Sequence, residues 1–386
     1  MSVYVDFHAL QPVPPSCINR DDTGNPKTAN FGGVQRARVS SQAWKHAIRD
    51  EFTRELPALD LGVRTMHVVR LISEAIIERA PEYREESSEY AREILETINE
   101  NKNKKTQPVT KLDTDSGEYL TKSLFFISGT TISDLADLAV AALRNGQSIA
   151  DMKKSVKKDV QKAFQGKQAV DVALFGRMLA DAPSLNQDAS CQVAHAISVD
   201  ELTPEYDYFT AMDDKAAEDN AGAAMIETNA FNSSTFYRFA TVNASALEQQ
   251  LTAEGTDAAE STAVAIAAFA KAFLESMPTG KINSYANQTL PSTVLVTVRS
   301  TRPVNLVTAF QLPVRSDGTE SVAHIAAQKL LDENGKFNSV YGDQPLHMYL
   351  MTIEDGLKDT DDMQTVTLQG LQDALKTDVP QALSQE

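Results

Sequence analysis

Apolar and polar residues alternate along several short stretches of the chain, and this spacing predicts half-buried β-strands. The first stretch covers residues 3–10, and the prolines at positions 12, 14 and 15 are expected to end it. A long irregular loop is expected over residues 16–39. The same alternation predicts further strands over residues 169–175, 235–242, 293–298 and 348–353.

Apolar residues spaced three and four apart predict helices between these strands. Ser40 or Ser41 can cap the first helix, which is expected to end near Arg54. The other predicted helices cover residues 65–80, 82–99, 131–143, 149–164, 257–277 and 320–331. The order strand, helix, two strands, helix, strand predicts an α+β protein with a ferredoxin-like or RRM-like unit. Residues 60–165 are expected to form an inserted helical lobe.

Composition narrows the class of protein. In 386 residues, 53 acidic side chains outnumber 36 basic ones, giving a net charge of −17, so a polyanion can bind only where basic residues are concentrated. No apolar run is long enough for a membrane span, and the N-terminus lacks a signal-peptide pattern. The two cysteines, Cys17 and Cys191, have no metal-ligand spacing. A cytoplasmic protein without membrane contact is expected.

One such concentration lies between residues 23 and 49, where every charged residue is basic: Lys27, Arg36, Arg38, Lys45 and Arg49. Arg36 and Arg38 would share one side of an extended segment, and Lys45 and Arg49 one face of the first helix. The backbone N–H groups of Ser40 and Ser41 at the helix start suit a phosphate. On charge alone, a solvated basic face is about as good an interpretation.

A second concentration of basic residues falls on the predicted helix 149–164. Its lysines at 153, 154, 157 and 158 would form one broad stripe along the helix. Lysines without aromatic residues between them favour contact with a phosphate backbone over stacking on bases. A solvated helix face again fits this segment taken alone.

Little in the sequence points to catalysis. The six histidines are scattered, no phosphate-binding glycine motif occurs, and Gly32-Gly33 is better read as a tight turn. Asp21 and Asp22 could together bind a divalent cation, although an exposed aspartate pair in a turn is the commoner explanation. No metal site and no cofactor are predicted.

Several short segments occur together in one order along the chain: residues 16–22, 31–33, 36–42 with Lys45, 172–178, 194–197, 207–211, 236–240 and 284–286. In this combination the sequence closely resembles the guide-RNA-binding backbone subunits of the type I-E CRISPR surveillance complex, Cascade. The resemblance implies a modified RRM/ferredoxin-like palm with an inserted helical finger domain and a thumb hairpin. The expected divisions are palm 1–59, finger 60–165, palm 166–200, thumb 201–232, and palm with a C-terminal extension 233–386.

The resemblance also implies a function. Copies of such a subunit stack along the spacer of the crRNA, kink it at regular intervals, assemble with other Cascade subunits, and present bases to target DNA without catalysing a reaction. By position, the residues expected to bind the RNA backbone are Arg20, Lys27, Ser40, Gln42, Lys45 and Arg49. Arg36, Arg38 and Lys45 would contribute more than usual, because Val34 and Gln35 stand where other members carry basic residues.

Three further assignments come from the same resemblance. Met178 and Phe209 match apolar wedges beside a displaced nucleotide, although core packing would be their ordinary role. Lys153, Lys154, Lys157 and Lys158 match a finger helix that helps to hold target DNA. Two alternatives remain: a metal-dependent ribonuclease using Asp21 or Asp22, and a stand-alone RRM-type RNA-binding protein, which would need exposed aromatic residues on its central strands.

Overall fold

The computed structural model describes residues 2–56, 61–99, 108–166, 168–179, 182–211, 225–252, 257–357 and 362–385. These residues fall into two compact units. The first combines Met1–Glu51, Gln192–Asn243 and Ile266–Glu386, and the second combines Phe52–Cys191 with Ala244–Ala265. Both units are assembled from separate stretches of the chain.

The described strands are, in chain order, β1 (Tyr4–Ser16), β2 (Thr28–Phe31), β3 (Val34–Val39), β4 (Gly62–Thr65), β5 (Thr110–Leu112), β6 (Tyr119–Thr121), β7 (Phe125–Ser128), β8 (Cys191–Val193), β9 (Ala196–Ser198), β10 (Glu205–Ala211), β11 (Met225–Asn243), β12 (Thr293–Arg299), β13 (His347–Thr352) and β14 (Gln364–Thr365).

The α-helices are α1 (Ser41–Glu55), α2 (Val68–Arg79), α3 (Ser87–Glu96), α4 (Gly129–Arg144), α5 (Ile149–Gln165), α6 (Val170–Phe175), α7 (Ala244–Leu251), α8 (Ala258–Glu275), α9 (Ile282–Tyr285), α10 (Val322–Tyr341) and α11 (Leu368–Ser384). Short 3-10 turns cover Pro81–Tyr83, Pro183–Leu185 and Leu306–Phe310. The fold is therefore mixed α+β, as predicted.

A ten-stranded sheet organises the first unit. Its strands lie in the order β14-β13-β12-β1-β11-β9-β3-β2, with β8 and β10 also paired to β11. The pair of β13 and β14 is parallel, whereas β1 pairs antiparallel with both β11 and β12. Tyr4 lies opposite Asn243 on one side and Arg299 on the other, so the first strand runs through the middle of the sheet.

Helices cover both faces of the central strands. On one face, the Phe7 ring lies 5.3 Å from the Phe269 ring of α8. On the other, Leu10, Tyr237 and Leu295 join a buried cluster with the 3-10 turn at Leu306–Phe310 and with α10. Phe236, Tyr237 and Phe239 of β11 are therefore buried, so these side chains cannot provide the base-stacking surface that the stand-alone RRM alternative requires on its central strands.

The second unit has its own apolar core, built mainly from α2, α3, α4 and α5. Helix α5 buries Met152, Val156, Val160 and Phe164, which recur every four residues, and it begins where the Ser148 hydroxyl accepts a hydrogen bond from the Asp151 N–H. The helices predicted over residues 65–80, 131–143 and 149–164 are confirmed, with ends shifted by a few residues.

Three local predictions are wrong. Residues 170–175 form helix α6 instead of a strand, because a short apolar run fits either structure and here Asp171 is held by the Gly62 N–H at 2.7 Å. Strand β1 continues through the prolines to Ser16. Beyond Leu10 it has no β12 partner, so the missing proline N–H groups interrupt no ladder on that side.

The third wrong prediction is the irregular loop over residues 16–39. Within it, β2 and β3 form a hairpin in which Phe31 lies opposite Val34. Gly32 and Gly33 connect the strands with φ values of 63° and 81°, which confirms the tight turn expected of this pair. None of the helices in the described ranges has the length and apolar composition of a membrane span.

Candidate nucleic-acid interface

Hydrogen bonds give the loop before β2 a definite shape. The Lys27 N–H donates to the Asn19 carbonyl at 2.9 Å, and the Asp21 N–H donates to the Asn25 carbonyl at 2.8 Å. The carboxylate of Asp21 accepts from the N–H of Thr23 at 2.9 Å, the hydroxyl of Thr23 at 2.7 Å and the N–H of Asn25 at 3.0 Å. These bonds, the Thr23 hydroxyl first, hold the pKa of Asp21 below its usual value. Asp21 thus stabilises the loop that presents the exposed Arg20.

Side chains already occupy the backbone donors at the start of α1. The Ser40 N–H donates to Asn19 Oδ1 at 2.9 Å, and the Ser41 N–H donates to His195 Nδ1 at 3.1 Å. Ser40 Oγ accepts from the Ala43 N–H at 3.3 Å and caps the helix. The expectation that the N–H groups of Ser40 and Ser41 bind phosphate is therefore wrong, because Asn19 and His195 already accept their hydrogen bonds. Through Asn19, the same contacts join the loop to the helix.

Three of the expected RNA-binding residues share a face of α1. Gln42, Lys45 and Arg49 follow one another at intervals of three and four residues, on the side away from the buried Trp44 and Ile48. Gln42 is exposed, while Lys45 and Arg49 are half-buried. Long basic side chains can bury their methylene stems and still present charge to solvent.

Arg36 and Arg38 do not form the shared basic surface expected of them. The Arg36 side chain is fully buried. Its guanidinium donates to backbone carbonyls of Phe31, Ser198, Val199 and Phe310 at 2.6–3.3 Å. A cation enclosed by carbonyl groups of its own chain is unavailable to RNA, so Arg36 positions the β2–β3 hairpin instead.

The half-buried Arg38 remains at the surface. Its Nε–H donates to the Thr28 carbonyl at 3.0 Å, and its Nη1 lies 3.4 Å from His195 Nδ1. The pKa of His195 is lowered first by the partial burial of its ring and then by the charges of Arg38 and Lys27. The structure therefore brings Lys27, Arg38 and Ser41 together around His195, which the sequence had given no role.

A fully buried arginine, Arg238, packs against α1 and α8. Arg238 lies 3.7 Å from the centre of the Trp44 ring and 4.5 Å from that of Phe273, and donates to Gln11 Oε1 at 2.6 Å. Burial lowers the pKa of Arg238 to about 9. This side chain ties α1 and α8 to the central sheet. Residues 236–240 belong to the family resemblance, but no pattern in the sequence indicated this role.

Lys281 is a basic residue that the sequence analysis missed. Gly280 packs so closely on the first loop that a side-chain carbon there would lie 2.3 Å from the Ile18 carbonyl oxygen. Lys281 and Ala286 flank α9 with φ values of 48°, a conformation that other non-glycine residues in the described ranges avoid. Burial raises the pKa of Cys17, while Lys281 and Arg20 lower it, so both cations act on the same thiol.

The β10–β11 hairpin presents aromatic side chains on both faces. Phe209, expected to be a wedge, is half-buried and lies opposite Glu227. Tyr206 and Tyr208 alternate with it and are exposed. These two tyrosines have no assigned role in the sequence analysis, although their two-residue spacing in a predicted thumb could have drawn attention to them.

In the second unit, Met178 is 81% exposed, which is unusual for a methionine. It follows Gly176, whose φ is 77°, and the buried Arg177, which donates to the carbonyls of Phe164 and Leu185. The backbone around Met178 is thus fixed by its neighbours while the side chain is free of the core. Core packing, the ordinary role for methionine, does not apply here.

The lysines of α5 divide into two groups. Lys154, Lys157 and Lys158 are exposed, whereas Lys153 is half-buried and pairs with Glu93. The stripe expected to contain four available lysines therefore contains three. No group of three or more His, Cys, Asp or Glu side chains suited to a metal ion occurs within the described ranges. That the chain binds no metal and catalyses no reaction stays a prediction.

The chain is thus a two-unit α+β protein in which Arg20, Lys27 and Arg38 form a basic surface beside the start of α1. It is similar to chains of solved CRISPR complexes. One, titled "CRISPR RNA-guided surveillance complex, pre-nicking", is 31% identical, with a TM-score of 0.80 over 97% of this chain and 100% of that chain. Another, titled "CRISPR RNA-guided surveillance complex", is 27% identical, with a TM-score of 0.70 over 96% of this chain and 99% of that one. The chain belongs to the family of CT1975-like proteins, whose model matches residues 5–377. No curated protein matches it.

Proposed function

We propose that the chain is a non-catalytic backbone subunit of a type I-E CRISPR Cascade complex that binds crRNA independently of sequence. The observation that carries the proposal is the gathering of Arg20, Lys27 and Arg38 beside the start of α1 in a chain with a net charge of −17. Basic side chains gathered on one surface raise the local concentration of anionic ligands there. The similarity to chains of RNA-guided surveillance complexes supports guide RNA as the anion that we propose.

The residue types at this surface suit a guide whose bases must stay available. Lysine and arginine contact phosphates, which every spacer has in the same arrangement, whereas reading of base edges would tie the protein to one sequence. Copies of the subunit would then follow one another along the guide, with target DNA pairing to the exposed bases in the cytoplasm. Other Cascade subunits would bind the ends of this filament.

The parts of the subunit can be assigned within this proposal. The order β12-β1-β11-β9, with α1 and α8, supports an RRM-like palm. The helical second unit would be the finger, and β10 with β11 the thumb. The exposure of Met178 supports its role as a wedge in the guide, and Phe209 would be the second wedge. The exposed lysines of α5 would contact target DNA.

Copurification tests the proposal directly. The chain would be expressed with a CRISPR array and the other subunits, and we expect several copies to elute with one guide RNA. The purified complex should protect the spacer from nuclease at regular intervals. A monomer that elutes without RNA, although the other subunits are present, would overturn the proposal.

Binding to unrelated RNA sequences tests the mode of contact. A variant with Arg20→Gln, Lys27→Gln and Lys45→Gln should weaken binding equally for each sequence. Each lost phosphate contact should also reduce the salt dependence of log K by roughly 0.7. The matched control is Lys329→Gln, Lys336→Gln and Lys376→Gln, which removes three exposed lysines from α10 and α11. An equal loss in the control would show that only overall charge matters.

A further inference from the structure

His195 lies at the centre of the basic surface of the first unit. It sits between β8 and β9, and its side chain is exposed. Nδ1 accepts a hydrogen bond from the Ser41 N–H at 3.1 Å, and Arg38 Nη1 lies 3.4 Å from the same nitrogen. Two donors therefore face one ring nitrogen, which must carry a lone pair rather than a proton.

The position of the proton follows from this contact. A neutral imidazole whose Nδ1 accepts carries its hydrogen on Nε2. Within the described ranges, Nε2 makes no hydrogen bond. The charged groups that act on the ring are cations, Arg38 from β3 and Lys27 from the loop before β2, and they disfavour a second proton. His195 thus presents a single, oriented N–H donor to solvent.

We propose that the Nε2–H of His195, together with Lys27 and Arg38, forms one binding site for a phosphodiester group of the guide RNA. The inference rests on the proposed function and adds a residue and a type of contact to it. Lys27 and Arg38 supply charge, and the neutral imidazole supplies direction. Ser41 keeps the ring in the required tautomer through Nδ1.

The chemistry of the three groups selects the ligand. All of them donate, and the described ranges contain no carboxylate paired with Lys27 or Arg38. A ligand that fits must offer several acceptor oxygens and negative charge, as a phosphodiester does. A base edge usually combines donors with acceptors and carries no charge, so it would leave part of the site unmatched.

Two conservative variants separate the two ring nitrogens. His195→Asn keeps an acceptor near the position of Nδ1 for the Ser41 N–H but removes the outward donor. His195→Gln has the longer side chain and can place an amide N–H near the position of Nε2. The affinity of each full-length variant for a single-stranded RNA oligonucleotide would be compared with that of the wild type, after circular dichroism and thermal melting have shown that each is folded.

We expect His195→Asn to weaken RNA binding about fivefold to tenfold, as for the loss of one ordinary hydrogen bond, and His195→Gln to weaken it less than threefold. The salt dependence of log K should not change in His195→Asn, because a neutral donor displaces no counterion. Lys27→Gln should reduce it by roughly 0.7. This contrast would not arise if His195 only supported α1.

Two outcomes would count against the inference. If the wild type binds RNA and His195→Asn binds it equally tightly, His195 has no role beyond positioning α1. Unchanged RNA affinity but weaker self-association of the variant would assign the site to a carboxylate of a second copy.

Histidine ¹⁵N spectra provide an independent measurement. The His195 signal, identified by its loss in His195→Asn, should report the Nε2–H tautomer and shift on RNA addition. If wild type binds no RNA at all, the proposed function itself fails.

Discussion

At the scale of single residues, the difference between Arg36 and Arg38 shows how neighbouring basic residues take separate roles. They share a face of β3 by sequence spacing. Arg36 nevertheless meets carbonyls of residues 198–200 and 310–311, while Arg38 stays at the surface. The composition identified the basic segment correctly. The groups that bury Arg36 come from distant parts of the chain, so no local sequence pattern indicates them.

Substitution by methionine should therefore affect mainly stability at Arg36 and mainly RNA binding at Arg38. Arg36→Met leaves buried carbonyls without a donor and should lower the free energy of unfolding by about 3 kcal/mol. Arg38→Met should lower it by less than about 1 kcal/mol but weaken RNA binding and its salt dependence. Urea denaturation and RNA titration would measure both effects. A stable Arg36→Met variant with impaired RNA binding would contradict the assignment.

His8 provides a prediction on pH. It is buried in the sheet with Nδ1 2.8 Å from the Tyr237 hydroxyl, and burial lowers its pKa to about 3. The unfolded chain takes up a proton at this residue near pH 6.5, while the native chain does not. Acidification must therefore reduce stability.

Between about pH 6 and pH 5, the free energy of unfolding of the wild type should fall about 1.2 kcal/mol more than that of His8→Gln. Denaturation at several pH values measures the difference, in which contributions from the other histidines cancel. Equal slopes would mean that native His8 takes up its proton as readily as the unfolded chain does.

At the scale of elements, prediction from sequence succeeded where one periodicity extended over many residues. Helix α5 is an example, because its buried residues recur every four positions over the whole helix. Short segments failed, since the apolar run that became α6 was too brief to distinguish a strand from a helix. The end of β1 was misjudged because the effect of a proline depends on which neighbouring strands are present, and these lie more than 200 residues away in sequence.

Helix α5 also allows a test of target-DNA binding. The variant Lys154→Gln, Lys157→Gln and Lys158→Gln should assemble normally on guide RNA but bind target DNA more weakly. Its salt dependence of log K should fall by roughly 0.9 for each lost contact with duplex DNA. Lys153→Gln should reduce DNA binding little, since this lysine is already paired with Glu93.

The triple variant on α10 and α11 described above again controls for overall charge in filter-binding or gel-shift measurements. If the α5 variant fails to assemble on guide RNA, the helix would belong to the guide-binding surface.

At the scale of the whole molecule, the question is whether the assembled chain only holds RNA or also cuts it. Asp21 is the residue on which the ribonuclease alternative depends, and its carboxylate accepts three hydrogen bonds within its own loop. We therefore expect Asp21→Asn, which keeps an acceptor for the loop, to bind guide RNA like the wild type. Asp21→Ala should bind it several-fold more weakly, because the loop loses these bonds.

Neither variant should change cleavage, because no cleavage is expected. The complex would be incubated with magnesium or manganese and complementary RNA or DNA, and the products separated by size. Asp22→Asn serves as a second comparison in the same loop. Regularly spaced cuts made by the wild type and absent from Asp21→Asn would establish a metal-dependent nuclease in place of a scaffold.

The central position of β1 has a consequence for how the protein is made. Its partners are β11 and β12, so the first strand leaves the ribosome long before either neighbour exists. The continuous stretch Phe52–Cys191 can meanwhile bury its own core. The contact of Ser41 with His195 likewise waits until about half of the chain has been made. The basic surface therefore acquires its shape only after the strands that flank β1 have been made, and a translation product truncated before His195 has the charges without the site.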